Sequence, residues 1–425
     1  MSSAVRPPPP FDSLPGTYTA CVQQHSGRKT TNKRKTIASS KFDVEEDPTS
    51  TVPGSKRRKI SRSIKIRGPS PPTTQKALIV VQKGEYELID THAFPILMNE
   101  EEVVIRNLAT GLNPIDWKSV DYNFCLPAFP WVTGREMAGI VEKVGSQVTT
   151  CKAGDRVWTS TYYRDSRAGC FQEYVTVPQH TVLPIPSNMG YDSAACLGVT
   201  ALTSAMTLWK WLCVPQPSTA PPRPCLSGAE GYLLVWGGSS VTGQYTIQLA
   251  KASHFSVIAV CSEKTKGLIY SLGANHVITR DNRSNQDILD CIRSIGGDRI
   301  TRAVDLVGTD TAPFCMAALS RTTESQFAPL AMMKAGQAVP PNVTVHNVEM
   351  KRFVLDKESR SYAESLNQLL EAGELKGPKL EVLQGGLNRV REGLEMVKKG
   401  DLMGRKIVVS MQQPKNMKRR GKTYI

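Results

Sequence analysis

Residues 232–243 read Tyr232-Leu233-Leu234-Val235-Trp236-Gly237-Gly238-Ser239-Ser240-Val241-Thr242-Gly243. Five apolar residues form a short strand, small residues follow, and the segment from Thr242 to Ser253 has helical spacing. Gly238 permits a tight backbone, and Gly243 lets the helix pack close to the strand. The freed N–H groups of this loop and the helix N-terminus then suit a pyrophosphate. Ser240 stands where the usual fingerprint has its middle glycine, so the loop alone also reads as a plain turn.

The context downstream decides. Strands are expected at 256–261 (SVIAVC), 276–279 (HVIT) and 303–308 (AVDLVG), with helices at 263–273 and 286–297 between them. Strand–helix alternation at this pitch is the signature of a doubly wound parallel sheet, a Rossmann domain that binds a dinucleotide. An NAD site usually carries an acid at the end of the second strand, about 20 residues beyond the loop. Cys261 is there instead, followed by Ser262, Glu263, Lys264, Thr265 and Lys266. Ser262 can hydrogen-bond a 2′-phosphate and Lys264 or Lys266 can neutralise it. The residues therefore favour NADP(H), against the charge of Glu263.

Upstream the pattern differs. Short strands at 76–81, 101–114, 138–148, 155–163 and 171–178 are separated by Gly/Asp turns, as in a β-barrel-like domain. A helix is expected from 192 to 212, N-capped by Asp192 or Ser193. A Pro-rich excursion (214–231) leads into the quoted strand. From about residue 355 two helices and a strand finish the fold, and Leu387, Val390, Leu394 and Val397 make one apolar stripe. The expected division is a basic tail at 1–75, a first domain at 76–195 completed by 355–413, a Rossmann domain at 196–354 and a second tail at 414–425.

The chain has 425 residues and a net charge of +15. Residues 1–75 hold 14 Lys/Arg against 5 Asp/Glu, and residues 414–425 hold five basic residues and no acid. The body, 76–413, has 34 basic and 33 acidic residues, which implies no nucleic-acid-binding field. Residues 1–75 are too poor in apolar groups to order themselves. Lys33–Lys35 and Lys56–Lys59 read either as a solvated tail or as a split nuclear-import signal. No membrane span or secretory signal is legible. Ten isolated cysteines suit reduced thiols in a cytoplasmic protein.

With these features together, the chain resembles the zinc-free medium-chain dehydrogenases/reductases over roughly residues 76–411. The match is carried by Asn113-Pro114-Ile115-Asp116-Trp117-Lys118, Gly134-Arg135-Glu136-Met137-Ala138-Gly139, Gly154-Asp155-Arg156-Val157, Gly169-Cys170-Phe171-Gln172-Glu173-Tyr174 and Leu272-Gly273-Ala274. Within them it is most similar to the fungal trans-acting enoyl reductases of polyketide biosynthesis. The Asn-Pro-x-Asp-x-Lys run, the Pro-rich excursion and the ending Gly385-Gly386-Leu387 with Lys399–Lys406 support this. The resemblance implies a GroES-like first domain. It implies NADP contacts at Pro114, Ile115, Asp116, Trp117, Ser239, Ser240, Val241, Thr242, Ser262, Glu263, Lys264, Thr265, Arg280 and Met403. It also implies an acyl and nicotinamide pocket along Gly198–Ala205, with Gly198, Thr200 and Thr203 towards substrate. The family usually has Tyr where Arg280 stands. Where it has a strand with a Gly-Gly turn, this chain reads Ser320–Gln326, which predicts a distorted strand.

Zinc-dependent members have Cys where Asn113 or Pro114 stands and His where Arg135 stands. Arg has no lone pair to offer, and the other Cys and His are scattered, so no metal is expected. Without a Lewis acid, reduction of an activated alkene is favoured over alcohol oxidation. Donors to the developing enolate are sought in Lys118, Thr200, Thr203 and backbone N–H groups. On an extended segment Lys118 and Asp116 would point the same way, so an ion pair of Lys118 with Asp116 or Glu136 is the competing reading. The substrate is expected to be a small molecule or a carrier-protein-bound acyl chain delivered by a polyketide synthase, docked on a rim of Arg135, Arg164 and Arg167. Alternatives are a stand-alone quinone or alkenal reductase, or a nuclear NADPH-binding protein without turnover. The protein is expected to be a monomer or homodimer.

Overall fold

The computed structural model describes residues 73–217 and 231–412. The expectations for the two basic tails, and for most of the Pro-rich excursion, lie outside the described residues.

The chain enters through β1 (Thr74–Gln82) and β2 (Glu85–Ala93), an antiparallel hairpin closed at Gly84, which has φ +80. β3 (Glu102–Gly111) follows and leads directly into α1 (Pro114–Asp121). Then come β4 (Trp131–Val132), β5 (Glu136–Val144), β6 (Arg156–Ser160), β7 (Tyr174–Pro178) and β8 (Val182–Pro184). β2 was not legible in the sequence. EYELIDTHA has little apolar alternation and mostly exposed side chains, and it is a strand because β1 supplies a partner.

After β8 the chain turns helical. The expected helix is present but its start differs: α2 (Tyr191–Ala194) is N-capped by Gly190, not by Asp192 or Ser193. It is also interrupted. Leu197–Ala201 and Thr207–Trp211 are wide π-type turns on either side of α3 (Leu202–Met206). Such turns interrupt the regular i−4 ladder, and helix propensity does not reveal them.

The Rossmann half is built from β9 (Tyr232–Trp236), α4 (Val241–Ala252), β10 (Ser256–Cys261), α5 (Lys266–Ser271), β11 (His276–Thr279), α6 (Asn285–Gly296), β12 (Ile300–Asp305), α7 (Ala312–Ala318), β13 (Ser325–Pro329) and β14 (Val343–Val345). Its strands are all parallel, in the order β11-β10-β9-β12-β13-β14. The anticipated distortion at 320–330 is not observed. β13 pairs regularly with both neighbours, and the preceding turn is ordered by Ser320, whose Oγ accepts the N–H groups of Thr322 and Thr323. Polar turn chemistry does here what a Gly-Gly turn does elsewhere.

α8 (Lys351–Leu355) and α9 (Arg360–Glu371) precede β15 (Leu380–Gln384), α10 (Val390–Lys399) and β16 (Lys406–Ser410). Leu366, Leu369 and Leu370 of α9 share a core with Leu233 and Val257 of the parallel sheet. β15 and β16 instead extend the larger sheet of the first domain, ordered β15-β16-β3-β5-β6-β8, with β7 also on β3, while β2-β1-β4 form a third, small sheet. Leu387, Val390, Leu394 and Val397 are buried together against the larger sheet, as their spacing predicts.

One buried ion pair ties the last strand to the first domain. Lys406 Nζ lies 2.6 Å from Glu136 Oε1, with exposures of 4% and 0%. Asn113, the N-cap of α1, donates to Glu136 Oε1 at 2.9 Å and accepts from Lys406 Nζ at 2.6 Å. Glu136 Oε2 accepts the N–H of Val199 at 2.6 Å. Removing one member leaves the other charge buried and unpaired, which costs roughly 3–5 kcal/mol. Lys406→Met is therefore expected to lower unfolding free energy by about that amount. Adding Glu136→Gln should recover much of it, because no bare charge then remains. Urea denaturation of the single and double variants checks both.

Candidate active site

A doubly wound sheet opens a crevice where adjacent strands are followed by connections running in opposite directions. Here that point is the C-terminal end of β9, flanked by β10 and β12. The chain leaves Trp236 into Gly237, at φ +93, and Gly238. A Cβ on Gly243 would lie 2.6 Å from Gly237 O and 2.9 Å from Gly238 Cα, so the helix reaches the loop only because Gly243 has no side chain. Ser240 caps α4, its Oγ accepting the N–H of Gly243 at 3.1 Å. Ser240 thus does more than replace a glycine: it satisfies one N–H of the first turn and leaves those of Val241 and Thr242 at the helix end. Such an end accommodates a phosphate.

The second strand ends as the sequence suggested. Cys261 is buried, and Ser262 Oγ lies 3.0 Å from Thr265 Oγ1. Arg280 is brought alongside through its N–H, which donates to Cys261 O at 2.9 Å. Lys264 and Arg280 are exposed, and neither side chain forms an ion pair among the described residues. Lys266 differs, pairing with Glu263 at 3.6 Å. Sequence reasoning missed Asp281, whose Oδ2 accepts the N–H of Glu263 at 2.6 Å and fixes this turn. Its only signal was a position directly after Arg280.

Gln244, just after the glycine loop, and Gly404, next to Met403, are 160 residues apart yet bonded. Gln244 Nε2 donates to Gly404 O at 2.7 Å and to Ser239 O at 3.0 Å. Met403 is half exposed beside this bridge, at φ 46. α3 docks on the start of α4, where Ser204 Oγ donates to Thr242 O at 2.7 Å. Thr203 is half-buried and its hydroxyl has no protein partner among the described residues. Thr200 is committed, donating to Cys196 O at 2.7 Å. Gly198 is a packing position, since a Cβ would lie 2.4 Å from Thr159 O and 2.9 Å from Glu136 Cβ.

Residues 114–118 need a correction. The segment is the first part of α1, not extended, so residues two apart point in different directions. Asp116 is fully buried and its Oδ2 accepts the N–H of the N-cap Asn113 at 2.8 Å, which closes the capping box at the start of α1. Burial pushes its carboxyl up to about 6, against the pull of Arg135. Pro114 is exposed, and Ile115 and Trp117 are half-buried. Lys118 is exposed, pairs with neither Asp116 nor Glu136, and places its Nζ 5.7 Å from the Trp117 ring centre. The buried lysine of this region is Lys406, which sequence reasoning missed because only the sheet pairing brings it to Glu136.

The three arginines do not form a common rim. Arg135 turns inward, stacking on Tyr163 at 4.3 Å and donating to its hydroxyl at 2.7 Å. Arg167 is held by Glu102 at 2.9 Å and Asp165 at 2.6 Å. Arg164 alone is exposed. Among the described residues no group of three His, Cys, Asp or Glu is placed to hold a metal ion.

The alcohol dehydrogenase GroES-like domain matches residues 99–187. The trans-enoyl reductase himH of Aspergillus japonicus is 31% identical over 73% of this chain and 90% of its own length. The enoyl reductase component lovC of the lovastatin nonaketide synthase of Aspergillus terreus is 29% identical over 81% of this chain and 98% of its own length. Among solved structures, the CurK enoyl reductase superposes with a TM-score of 0.65 at 20% identity, over 80% of this chain and 99% of that one. The parallel sheet with its glycine loop, the strand-rich first domain and this similarity along most of the chain agree: the protein is an oxidoreductase of the medium-chain dehydrogenase/reductase superfamily and belongs to the family of the fungal trans-acting enoyl reductases.

Proposed function

We propose that this protein reduces the C=C bond of an α,β-unsaturated acyl thioester or ketone with NADPH, acting in trans on a chain carried by a polyketide synthase. The similarity to himH and lovC over most of their length carries this reading. The geometry of the cleft supports it. Substrate would enter from the β-rich domain (76–195 with 355–413), and the dinucleotide would lie on the Rossmann domain (196–354).

The loop Gly238–Gly243 would hold the pyrophosphate. Ser262, Lys264 and Arg280 would receive the 2′-phosphate, with Thr265 ordering Ser262. Pro114, Ile115 and Trp117 from α1 and Met403 would border the nicotinamide half. Asp116 supports that segment from beneath rather than touching the cofactor. When bound, NADPH supplies hydride to the β-carbon of the conjugated system. The protein must then stabilise the negative charge on the carbonyl oxygen and allow a proton to reach the α-carbon. The hydroxyl of Thr203 and the ammonium of Lys118, neither of which has a hydrogen-bond or ion-pair partner among the described residues, are the donors suited to that oxygen. Thr200 is less suited while its hydroxyl serves Cys196 O. An exposed Lys118 exchanges protons with solvent, so the proton can come from it or from water. Asn113 and Arg135, where zinc-dependent members carry ligands, are engaged with Glu136 and Tyr163. An activated alkene needs no metal, in contrast to an alcohol.

Cofactor choice tests the first part. NADPH is expected to bind at least about tenfold more tightly than NADH, or about 1.4 kcal/mol. Lys264→Glu should remove most of that difference. Fluorescence titration with both cofactors measures it, and equal affinities in the unaltered protein would refute the assignment.

Isotope transfer tests the second. Deuteride from labelled NADPH is expected at the β-carbon of a short enoyl thioester, read by mass spectrometry. Lys118→Ala is expected to lower turnover by roughly 10²–10³-fold, the usual loss for one oxyanion donor, with NADPH affinity unchanged. Label found only on a carbonyl carbon would replace alkene reduction with carbonyl reduction.

A further inference from the structure

Gln244 is buried in the first turn of α4, and its side-chain amide donates to two carbonyls from different parts of the chain. One is Ser239 O of the glycine loop at 3.0 Å, and the other is Gly404 O at 2.7 Å. Among the described residues neither carbonyl accepts another hydrogen bond. Gly404 fits there because it has no side chain. A Cβ would lie 2.9 Å from Gln244 Nε2, 3.2 Å from Ser239 O and 3.2 Å from Leu268 Cδ2 of α5. Gly404 is therefore seated against the glycine loop, α4 and α5 together.

Residues Leu402–Arg405 form a short strap that joins α10 to β16. Its path is imposed from outside, since Met403 has φ 46, a left-handed conformation that is costly for a residue with a side chain. At the β16 end the strap is held by Arg405, whose Nη1 lies 2.7 Å from Glu381, and by the buried pair of Lys406 with Glu136. Towards the Rossmann domain, its only hydrogen bond among the described residues is the one from Gln244. Gln248, one turn further along α4, makes a comparable contact elsewhere. Its Nε2 donates to Lys376 O at 3.0 Å, and its Oε1 accepts the N–H of Lys376 at 2.7 Å. It ties the same helix to the same half of the molecule without touching the glycine loop.

We propose that Gln244 is a positioning residue: it fastens Leu402–Arg405 to the glycine loop, holds Met403 over the bound dinucleotide, and so sets how tightly NADPH is held without acting on hydride transfer. This rests on the reading above that the loop holds the pyrophosphate and Met403 borders the nicotinamide half. The direction follows from the bonds. Without the amide, both carbonyls lose their donor, and nothing on the Rossmann side keeps Met403 in its left-handed conformation. The strap then leaves the loop for part of the time, and every binding event has to order it again, which lowers affinity. Once the dinucleotide is bound, a side chain buried beneath the loop has no contact with the reacting carbons.

The full chain serves for the test. Gln244→Met keeps the length of the side chain and removes both donors, and Gln244→Ala replaces it if the Met variant does not fold. Without cofactor, hydrogen exchange at Leu402–Arg405 should become faster in Gln244→Met and stay as in the unaltered protein in Gln248→Met. In fluorescence titrations the Kd for NADPH should rise roughly tenfold in Gln244→Met, the size of a lost hydrogen bond, and stay unchanged in Gln248→Met. Turnover of a short enoyl thioester at saturating NADPH should be unchanged in Gln244→Met, so that the loss appears in KM for NADPH and not in kcat. Gly404→Ala breaks the same contact from the other side, so the double variant should bind NADPH little worse than the weaker single one. Unmoved exchange at Leu402–Arg405 overturns the fastening. Equal loss of affinity in Gln244→Met and Gln248→Met, additive losses in the double variant, or a fall in kcat with Kd unmoved overturns the positioning role. If the unaltered protein binds no NADPH, the cofactor reading fails and the positioning role falls with it, while the exchange measurement still decides whether Gln244 fastens the strap.

Discussion

Glu136 is a carboxylate with no solvent, and the first domain is arranged to satisfy it. Its two oxygens take Lys406, the side chain of Asn113 and the N–H of Val199. These groups come from the last strand, the cap of α1 and the first wide turn of the interrupted helix. Burying a charge is tolerable only when all its partners are present. The segments that supply them, far apart in sequence, are therefore locked into one arrangement. The same requirement explains why Gly198 has no room for a side chain, since it lies against Glu136 Cβ.

The consequences reach the glycine loop after β9. Lys406 begins β16, and Met403 and Gly404 lie just before it. With Lys406 anchored, Gly404 is held where Gln244 bridges it to Ser239. The C-terminal strand of the first domain's larger sheet is thus connected to the glycine loop of the parallel sheet by one amide side chain. From the other direction, Asn113 fixes the start of α1 and so the side chains that follow it. Stability and the geometry of the cleft depend on the same few buried atoms.

The lysines show how burial divides chemistry among identical side chains. Lys406 is spent on structure. Among the described residues Lys118 and Lys264 are exposed and without ion pairs, one on α1 and one at the end of the second Rossmann strand. The arginines divide similarly: Arg167 is tied to acids, Arg135 is turned onto Tyr163, and Arg164 and Arg280 are exposed. Net charge near zero in the body conceals this sorting.

Local signals were enough for much of the molecule. The strand–glycine–helix unit at 232–253, the alternation after it and the absent acid at Cys261 are properties of short segments. They determine a doubly wound dinucleotide fold, because turn conformation and hydrophobic period are set by neighbouring residues. The apolar stripe of α10 was legible for the same reason. What the sequence could not determine depends on partners from distant segments. EYELIDTHA is a strand only because β1 lies beside it. Residues 114–118 are helical because Asn113 and Asp116 cap one another, which turned Lys118 away from Asp116. The helix after Gly190 widens where Thr200 bonds Cys196 O and Val199 meets Glu136. The buried lysine is Lys406, not Lys118, because pairing of β16 with β3 carries it there. Charge burial and sheet register are properties of the assembled fold, and they decided which of several equivalent side chains became structure and which were left for chemistry.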